Sequence, residues 1–253
     1  MSEIVVTPLG TVSPYEKGMM NCPGFLVEYN NHKILLDCGN GITRMLNFPE
    51  DLKDLNVIVT HFHKDHFGDL GAIQYASYVY HNLGMLDKKI KIYLPRDEFQ
   101  FNKAAITFNS DSYSEYYEIV DDYLITMDDL NISFRNNNSH TIESYMVKLE
   151  NQEFKIVYTS DIGTTNIEDL VEFCQEADLI ICESSFLRKH NANSRTHMTA
   201  FAAGNVAKEA KAKQLLLTHF WPEEDKKLYL EEAKLIFPNV EVAEEGKKLV
   251  LKN

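Results

Sequence analysis

Four potential metal ligands fall within six residues, in the stretch Thr60-His61-Phe62-His63-Lys64-Asp65-His66. This stretch follows Val57–Val59, a short apolar run that has the character of a β-strand. Three imidazoles and one carboxylate so close together would be costly to bury in an apolar core without a partner. A bound metal ion is the partner that such side chains most readily share, so the spacing indicates a metal site.

Further acidic and histidine residues stand just past predicted strands elsewhere in the chain. They are His140, Asp161, Glu183 and His219. The carboxyl ends of strands are where α/β folds gather their functional groups. A lone histidine in a loop is more often a hydrogen-bonded structural residue. Several such positions at equivalent strand ends, added to the cluster at residues 61–66, favour a shared site instead.

The elements that would position these residues are those of a layered α/β protein. Short strands dominate the first part, a meander follows, and helices then alternate with strands. The predicted strands are Glu3–Thr7, Phe25–Tyr29, Lys33–Leu36, Val57–Val59, Lys89–Leu94, Tyr123–Thr126, Asn131–Arg135, Tyr145–Leu149, Phe154–Thr159, Asp178–Cys182, Gln214–Thr218, Val240–Val242 and Lys248–Leu251. The predicted helices are Ile42–Leu46, Asp69–Asn82, Ile167–Gln175, Thr199–Ala212 and Glu224–Ile236. Without a clear linker, we predict a single domain over residues 1–253.

The segment 97–123 interleaves aromatic residues with acids and asparagines. Helices that cover one face of a sheet would explain this pattern. A lid or a dimer contact would also explain it, because exposed aromatic side chains mark such surfaces. The segment is therefore a candidate cap or dimer-contact insertion.

Composition limits the compartment and the partners. The chain is 44% hydrophobic and 25% charged, as an ordinary globular protein is. It lacks both an apolar run of about 18 residues and a signal pattern at the N-terminus, so we expect a cytoplasmic protein with no membrane partner. The four cysteines form no C-x-x-C pair, which argues against a zinc ribbon and against a disulfide framework.

The formal net charge of −13 disfavours long nucleic acid as a partner. Such binding usually needs a basic face, whereas the lysines here are scattered among a larger number of acids. A small anionic ligand that is neutralised by bound metal agrees better with this charge.

With these motifs the chain resembles the metallo-β-lactamase fold hydrolases from Asp37 to His219. The resemblance implies an α/β fold, the αβ/βα four-layer sandwich, with two metal ions. By position it implies His61, His63 and His140 as ligands of the first ion, Asp65, His66 and His219 as ligands of the second, and Asp161 as the bridge. It also implies that Asp37 is a structural acid beneath the site. Imidazole and carboxylate ligands without thiolate suit two Zn²⁺ per chain, with Mn²⁺ or Fe²⁺ as alternatives.

A second motif resembles the ribonuclease Z-like branch of these hydrolases. It consists of Glu183-Ser184-Ser185-Phe186, Arg195-Thr196-His197-Met198-Thr199-Ala200 and Leu217-Thr218-His219-Phe220. The resemblance implies that His197 is the general acid that protonates the leaving oxygen and that Glu183 orients it. Ser185 stands where the branch usually has threonine. The structural alternative for His197 is a residue that merely flanks the cap of the Thr199 helix.

Asp65 has a candidate second role besides metal binding. Its carboxylate could orient the attacking nucleophile and act as the general base. The candidate catalytic residues are therefore Asp65, His197 and Glu183.

The chain departs from the tRNA-processing members between His140 and Asp161. Those enzymes carry a long Gly/Pro-rich arm there, whereas this chain has only Thr141 to Ser160, enough for two strands and a turn. It thus resembles the arm-less phosphodiesterases of the branch, which include cyclic-phosphate esterases and the anti-Pycsar-type enzymes that open cyclic pyrimidine nucleotides. Those enzymes are homodimers in which one subunit covers its neighbour's site. Phe108–Tyr123 is the candidate for such a cap, stacking on a base.

The leading hypothesis is a binuclear metal-dependent phosphodiesterase that hydrolyses a small phosphodiester, foremost a cyclic mononucleotide. The first alternative is a lactonase or thioesterase of the same fold, because metal-activated water attacks carbonyls equally well. A tRNA 3′-processing endoribonuclease is disfavoured by the missing arm. A catalytically silent binding protein is the alternative from a different class, although every expected ligand position is filled.

Overall fold

The computed structural model describes residues 3–96, 114–191 and 195–252. The chain forms two compact units. Unit 1 comprises Met1–Gly10, Tyr15–Ile119 and Glu245–Asn253, and unit 2 comprises Thr11–Pro14 and Val120–Glu244. The single domain expected over residues 1–253 stays a prediction.

Unit 1 contains one seven-stranded sheet. Its strands are β1 (Glu3–Gly10), β2 (Gly24–Tyr29), β3 (His32–Leu36), β4 (Leu55–Ile58), β5 (Ile90–Pro95), β6 (Ser114–Ile119) and β14 (Leu249–Lys252), and its helices are α1 (Lys64–Phe67) and α2 (Leu70–Asn82), with 3₁₀ turns at Ile42–Met45 and Glu50–Leu52. The spatial order is β14-β1-β2-β3-β4-β5-β6. Pairing is antiparallel from β14 to β3 and parallel from β3 to β6.

The apolar faces of unit 1 explain these elements. Every residue of β4 is buried, as expected for a central parallel strand that is covered on both faces. In α2 the buried residues Leu70, Ile73, Gln74 and Ser77 recur at helical spacing on one side. Burial of each large apolar side chain contributes about 1.5–3 kcal/mol, so this face holds α2 against the unit's core.

Unit 2 contains the second seven-stranded sheet. Its strands are β7 (Leu124–Met127), β8 (Leu130–Asn136), β9 (Tyr145–Glu150), β10 (Lys155–Tyr158), β11 (Leu179–Glu183), β12 (Gln214–Thr218) and β13 (Val240–Val242), and its helices are α3 (Ile167–Phe173), α4 (Ala200–Glu209) and α5 (Lys226–Lys234), with a 3₁₀ turn at Arg188–His190. The spatial order is β13-β12-β11-β10-β9-β8-β7. The meander β7–β10 is antiparallel, and β10–β13 are parallel.

Helix α4 begins where its sequence predicts. The Thr199 side chain accepts a hydrogen bond from the backbone N–H of Ala202 at 3.1 Å, which is the geometry of an N-cap. The buried side of α4 is made of small residues, among them Ala203, Gly204 and Ala207. A Cβ at Gly204 would lie 3.0 Å from the carbonyl oxygen of Ala233 in α5. Small residues therefore let these two helices pack closely.

Most predicted elements are present, with two corrections. Residues 42–45 form a 3₁₀ turn instead of the predicted α-helix. Residues 114–119 of the segment 97–123 form strand β6, which pairs in parallel with β5, where covering helices were one expectation. The cap or dimer-contact prediction for residues 97–113 lies outside the described residues. Within the described ranges, no helix is both long and apolar enough to cross a membrane.

Candidate metal centre

The histidine-rich cluster of unit 1 lies beyond the carboxyl end of β4. Strand β4 ends at Ile58, and the chain passes through His61 and His63 before α1 carries Asp65 and His66. His61 Nε2 lies 2.9 Å from His63 Nδ1, and the ring centroids of His61 and His66 lie 4.1 Å apart. Asp65 Oδ2 is 3.7 Å from His66 Nε2. All four candidate ligands of this unit therefore converge.

Asp37 holds this cluster through hydrogen bonds to Thr60 and His66. Its carboxylate is fully buried, and it accepts hydrogen bonds from the backbone N–H of Thr60 at 2.7 Å and the Thr60 hydroxyl at 3.0 Å. His66 Nδ1 lies 2.7 Å from Asp37 Oδ2. This contact fixes the His66 ring with Nε2 toward Asp65. A carboxylate on the far nitrogen of a histidine is the usual support for a metal-binding imidazole.

Unit 2 brings together Asp161, His197 and His219. Their candidate ligand atoms all lie within 4.8 Å of one another. His219 Nε2 is 2.9 Å from Asp161 Oδ1, and His140 Nε2 is 3.7 Å from Asp161 Oδ2. Asp161 lies just past β10 and His219 directly follows β12. These two strands flank β11 and are parallel to it, so both residues lie at the same edge of the sheet. The predicted convergence of His140, Asp161 and His219 is therefore present within this unit.

Left-handed backbone recurs at these strand ends. Asp37 has a φ of +59°, Ser160 of +54° and His219 of +63°. Non-glycine residues adopt this conformation at a cost of about 1–3 kcal/mol, and such residues cluster at functional sites. At each of these three positions the chain turns just past the end of a strand. The turns place the side chains of Asp37, Asp161 and His219 beyond the ends of their strands.

Glu183 is a buried carboxylate that holds His197. It is 1% exposed, and its Oε1 accepts the backbone N–H of Ile162 at 2.9 Å. His197 Nδ1 also lies 2.9 Å from Glu183 Oε1. Burial lowers the pKa of His197, but the carboxylates of Glu183 and Asp161 raise it by more, so the net shift is upward. His197 is thus held by its Nδ1, and Nε2 is the ring nitrogen that could pass a proton.

His197 also stacks on a candidate ligand. Its ring lies 5.4 Å from that of His219, with the planes 22° apart. The Thr199 side chain itself caps helix α4. The imidazole of His197 therefore takes no part in the cap that it flanks.

Some residues that shape the unit 2 cluster carry no recognisable sequence signal. The Asn137 side chain donates to the carbonyl oxygen of Asp161 at 2.8 Å, and the Ser139 hydroxyl accepts the backbone N–H of Gly163 at 3.0 Å. Both fasten the loop that carries Asp161. They lie in a polar run, Asn136-Asn137-Asn138-Ser139, that looks like any solvated loop.

The donor set fits a metal ion. In His61 and His63, two ring nitrogens point at each other at 2.9 Å, and carboxylates stand beside imidazoles in both units. Imidazole with carboxylate suits Zn²⁺, and also Mn²⁺ or Fe²⁺. Among the described residues, the groups of side chains that could hold a metal ion contain histidine and aspartate and no cysteine.

Two sheets with histidine and aspartate clusters at their strand ends define a metallo-hydrolase fold of class α/β. The family described as "Beta-lactamase superfamily domain" matches residues 32–220, and the chain belongs to that family. The predicted metallo-β-lactamase fold is confirmed.

Individual relatives agree with this assignment. The chain is 29% identical to the "Probable metallo-hydrolase YhfI" of Bacillus subtilis (strain 168), covering 85% of this chain and 86% of that protein. The crystal structure of YhfI matches with a TM-score of 0.89 and 27% identity, covering 98% and 99% of the two chains. A ribonuclease Z of Saccharolobus islandicus is 30% identical, covering 94% of this chain and 95% of its own length. The short form of human tRNase Z has the same fold, with a TM-score of 0.75 and 21% identity over 97% of this chain and 98% of that one.

Proposed function

We propose that the protein is a binuclear metal-dependent phosphodiesterase that hydrolyses a small phosphodiester, foremost a cyclic mononucleotide. The observation that carries this proposal is the His197–Glu183 pair beside Asp161 and His219. Hydrolysis of an alkyl phosphodiester expels a poor leaving group, which needs a proton. A histidine whose pKa is raised, held by a buried carboxylate, is suited to supply one.

The ligand assignment is part of the proposal. We assign His61, His63 and His140 to one ion, Asp65, His66 and His219 to the other, and Asp161 to both. Family membership supports this assignment, and so does the convergence of side chains inside each unit. When bound, two such ions lower the pKa of water and stabilise the negative charge that develops on the phosphoryl oxygens.

The chain's own residues would complete the reaction. Asp65 would orient the attacking water and take its proton while the new P–O bond forms. His197 would give the proton on Nε2 to the departing oxygen as the old P–O bond breaks. Glu183, bonded to His197 Nδ1, would hold the imidazole and stabilise its charged form. The products are a phosphomonoester and a free hydroxyl.

A small substrate is proposed because the chain has no arm between its ligands. Residues 141–160 form β9, a turn and β10, and the turn is closed by a bond from Asn151 N to the carbonyl of Phe154. The net charge of −13 opposes a long polyanion. The ribonuclease Z relative supports phosphodiester chemistry by its name, and the absent arm directs the proposal away from tRNA.

The test is a hydrolysis panel with the zinc-loaded protein. The panel comprises cyclic mononucleotides, bis-p-nitrophenyl phosphate, a tRNA precursor and a set of lactones and thioesters. We expect turnover of the first two, loss of turnover on chelation, and recovery on zinc addition. Turnover of lactones or thioesters alone would instead establish the carbonyl hydrolase. A protein that binds zinc and hydrolyses nothing in the panel would contradict the proposal.

His197→Ala tests the general acid. We expect turnover of a cyclic nucleotide to fall about 10²–10⁴-fold, the usual contribution of a positioned acid. The loss for bis-p-nitrophenyl phosphate should be far smaller, because p-nitrophenolate departs without a proton. His190→Ala is the matched control, since this histidine also has a carboxylate partner, Glu224 at 3.4 Å. Equal losses on both substrates would remove the acid role from His197.

The homodimer is a further part of the proposal, implied by the resemblance to the arm-less phosphodiesterases. Light scattering on the purified protein measures its mass directly, against 29.1 kDa for one chain. A monomer at the concentration used for the hydrolysis assay would contradict it.

A further inference from the structure

The hydroxyl of Ser185 lies between the carboxylate of Glu183 and the ring of His219. Ser185 Oγ is 2.8 Å from Glu183 Oε2 and 2.8 Å from His219 Nδ1. All three residues are buried, with Ser185 at 8% exposure. This bridge lies wholly within unit 2.

Chemistry fixes the direction of both hydrogen bonds. The Ser185 hydroxyl donates its single proton to Glu183 Oε2. Toward His219 the oxygen therefore accepts, and the donor is the N–H at Nδ1. A neutral imidazole with its proton on Nδ1 carries its lone pair on Nε2. Nε2 is the atom that faces Asp161, at 2.9 Å.

The same carboxylate holds the proposed general acid with its other oxygen. Glu183 Oε1 receives His197 Nδ1 at 2.9 Å, while Oε2 receives the Ser185 hydroxyl. Glu183 is anchored in turn by the backbone N–H groups of Ile162 at 2.9 Å and Ser185 at 3.1 Å. One carboxylate thus contacts His197 directly and His219 through the Ser185 hydroxyl.

We infer that Ser185 is a positioning residue that couples the metal ligand His219 to the acid pair His197–Glu183. It sets the tautomer and ring angle of His219 while it helps to fix the carboxylate on which His197 depends. The part of the inference that concerns His197 rests on the proposed function. The part that concerns His219 predicts the affinity for zinc, which can be measured without any substrate.

The experiment compares three variants of the full chain. Ser185→Ala removes the hydroxyl, and Ser185→Thr keeps it. Ser184→Ala is the matched control, because this neighbouring buried hydroxyl donates to the carbonyl oxygen of Thr218 at 3.0 Å. Zinc affinity is measured by competition with a chromophoric chelator. Turnover is measured with a cyclic nucleotide and with bis-p-nitrophenyl phosphate.

We expect Ser185→Ala to lower both zinc affinity and cyclic-nucleotide turnover, each about 10–100-fold, as loss of the partner of a metal-binding histidine does. Turnover of the cyclic nucleotide should fall more than turnover of bis-p-nitrophenyl phosphate. Ser185→Thr should return both quantities to within a few-fold of the parent, and Ser184→Ala should leave them unchanged. A folded Ser185→Ala protein with parental zinc affinity, or equal losses in Ser184→Ala, would overturn the inference.

The two proposals fail in different ways. If no phosphodiester is hydrolysed but Ser185→Ala still loses zinc affinity and Ser185→Thr regains it, the positioning of His219 stands and the proposed function falls. If phosphodiesters are hydrolysed and Ser185→Ala behaves as the parent in both assays, the function stands and the coupling falls.

Discussion

At the scale of single residues, the site depends on buried carboxylates that accept several hydrogen bonds at once. Asp37 supports His66 in unit 1, and Glu183 supports His197 in unit 2. Both carboxylates follow a strand or end one, and both are at most 1% exposed. Burial makes these bonds strong, because no water competes for the acceptor oxygens. The donors that face them are correspondingly well fixed.

Asp37→Ala should therefore weaken metal binding without removing a metal ligand. We expect zinc affinity to fall about 10–100-fold, because His66 loses the partner of its Nδ1. Chelator competition measures the affinity, and circular dichroism checks the fold. Asp69→Ala is the matched control, since Asp69 Oδ2 accepts the backbone N–H and the hydroxyl of Thr43, both at 2.8 Å. Equal losses of zinc affinity in both variants would contradict the orienting role of Asp37.

The thiols should be inert in the folded protein. Cys22, Cys38, Cys174 and Cys182 are all buried. Burial is the main reason that the pKa of Cys22 and of Cys174 is raised to about 12, and the nucleophile is the thiolate. At pH 8 we expect almost no reaction with a thiol-specific disulfide reagent in buffer, and four equivalents per chain in denaturant. Rapid reaction of one native thiol would show that its burial is transient.

At the scale of elements, most strands could be predicted because their buried residues are mainly apolar. Strands β12 and β13 have the predicted bounds. Strand β6 was missed because its sequence SEYYEI lacks a clear apolar pattern and follows a segment rich in aromatic residues. Three helices, α3, α4 and α5, end earlier than predicted. Left-handed residues follow two of them: Glu176, with a φ of +55°, lies just past α3, and Lys211, with a φ of +54°, lies just past α4.

The site was only partly accessible from the sequence. The cluster at residues 61–66 could be recognised locally, since its ligands are neighbours in the chain. Glu183 and His197, 14 positions apart, could be paired only through a resemblance to a known branch. The bridge from Ser185 to His219 spans 34 positions and depends on the parallel pairing of β11 with β12, which no local pattern specifies.

The loop at Gly163 is the element most sensitive to a small change. A Cβ there would overlap the backbone carbonyl of Arg195, two residues before His197. Gly163→Ala should therefore displace the His197 loop and cost about 1–3 kcal/mol of stability. We expect cyclic-nucleotide turnover to fall at least tenfold while zinc affinity changes less. Thermal unfolding and the hydrolysis assay measure the two effects.

The variant Gly84→Ala separates the effect of backbone strain from the effect of displacing the loop that carries His197. Gly84 has a φ of +70°, and an added Cβ would meet no described heavy atom within 4 Å. This variant should lose stability through backbone strain alone, by about 1–3 kcal/mol, with turnover unchanged. If both variants lose stability equally and Gly163→Ala keeps full turnover, the contact with Arg195 does not position His197.

At the scale of the whole molecule, the dominant property is the formal net charge of −13, with a sequence pI of about 5.1. Two divalent ions would leave the protein strongly negative. The net negative charge of the protein would therefore repel an anionic substrate at long range, and the bound metal ions would attract it only at short range. Charges farther apart than the Debye length, about 30 Å at 0.01 M and 10 Å at 0.1 M salt, are largely screened from one another.

This balance predicts how turnover depends on salt. As ionic strength rises from 0.01 to 0.2 M, kcat/KM for an anionic phosphodiester should rise about two- to fivefold, because screening removes long-range repulsion faster than it weakens contacts near the metals. The saturated rate, kcat, should stay constant. A 2′,3′-cyclic nucleotide with an added 5′-phosphate should show a steeper rise than the same nucleotide without it, since it carries more charge. A fall in kcat/KM with salt would mean that positive potential around the site outweighs the net charge, and would return longer nucleic acids to consideration as substrates.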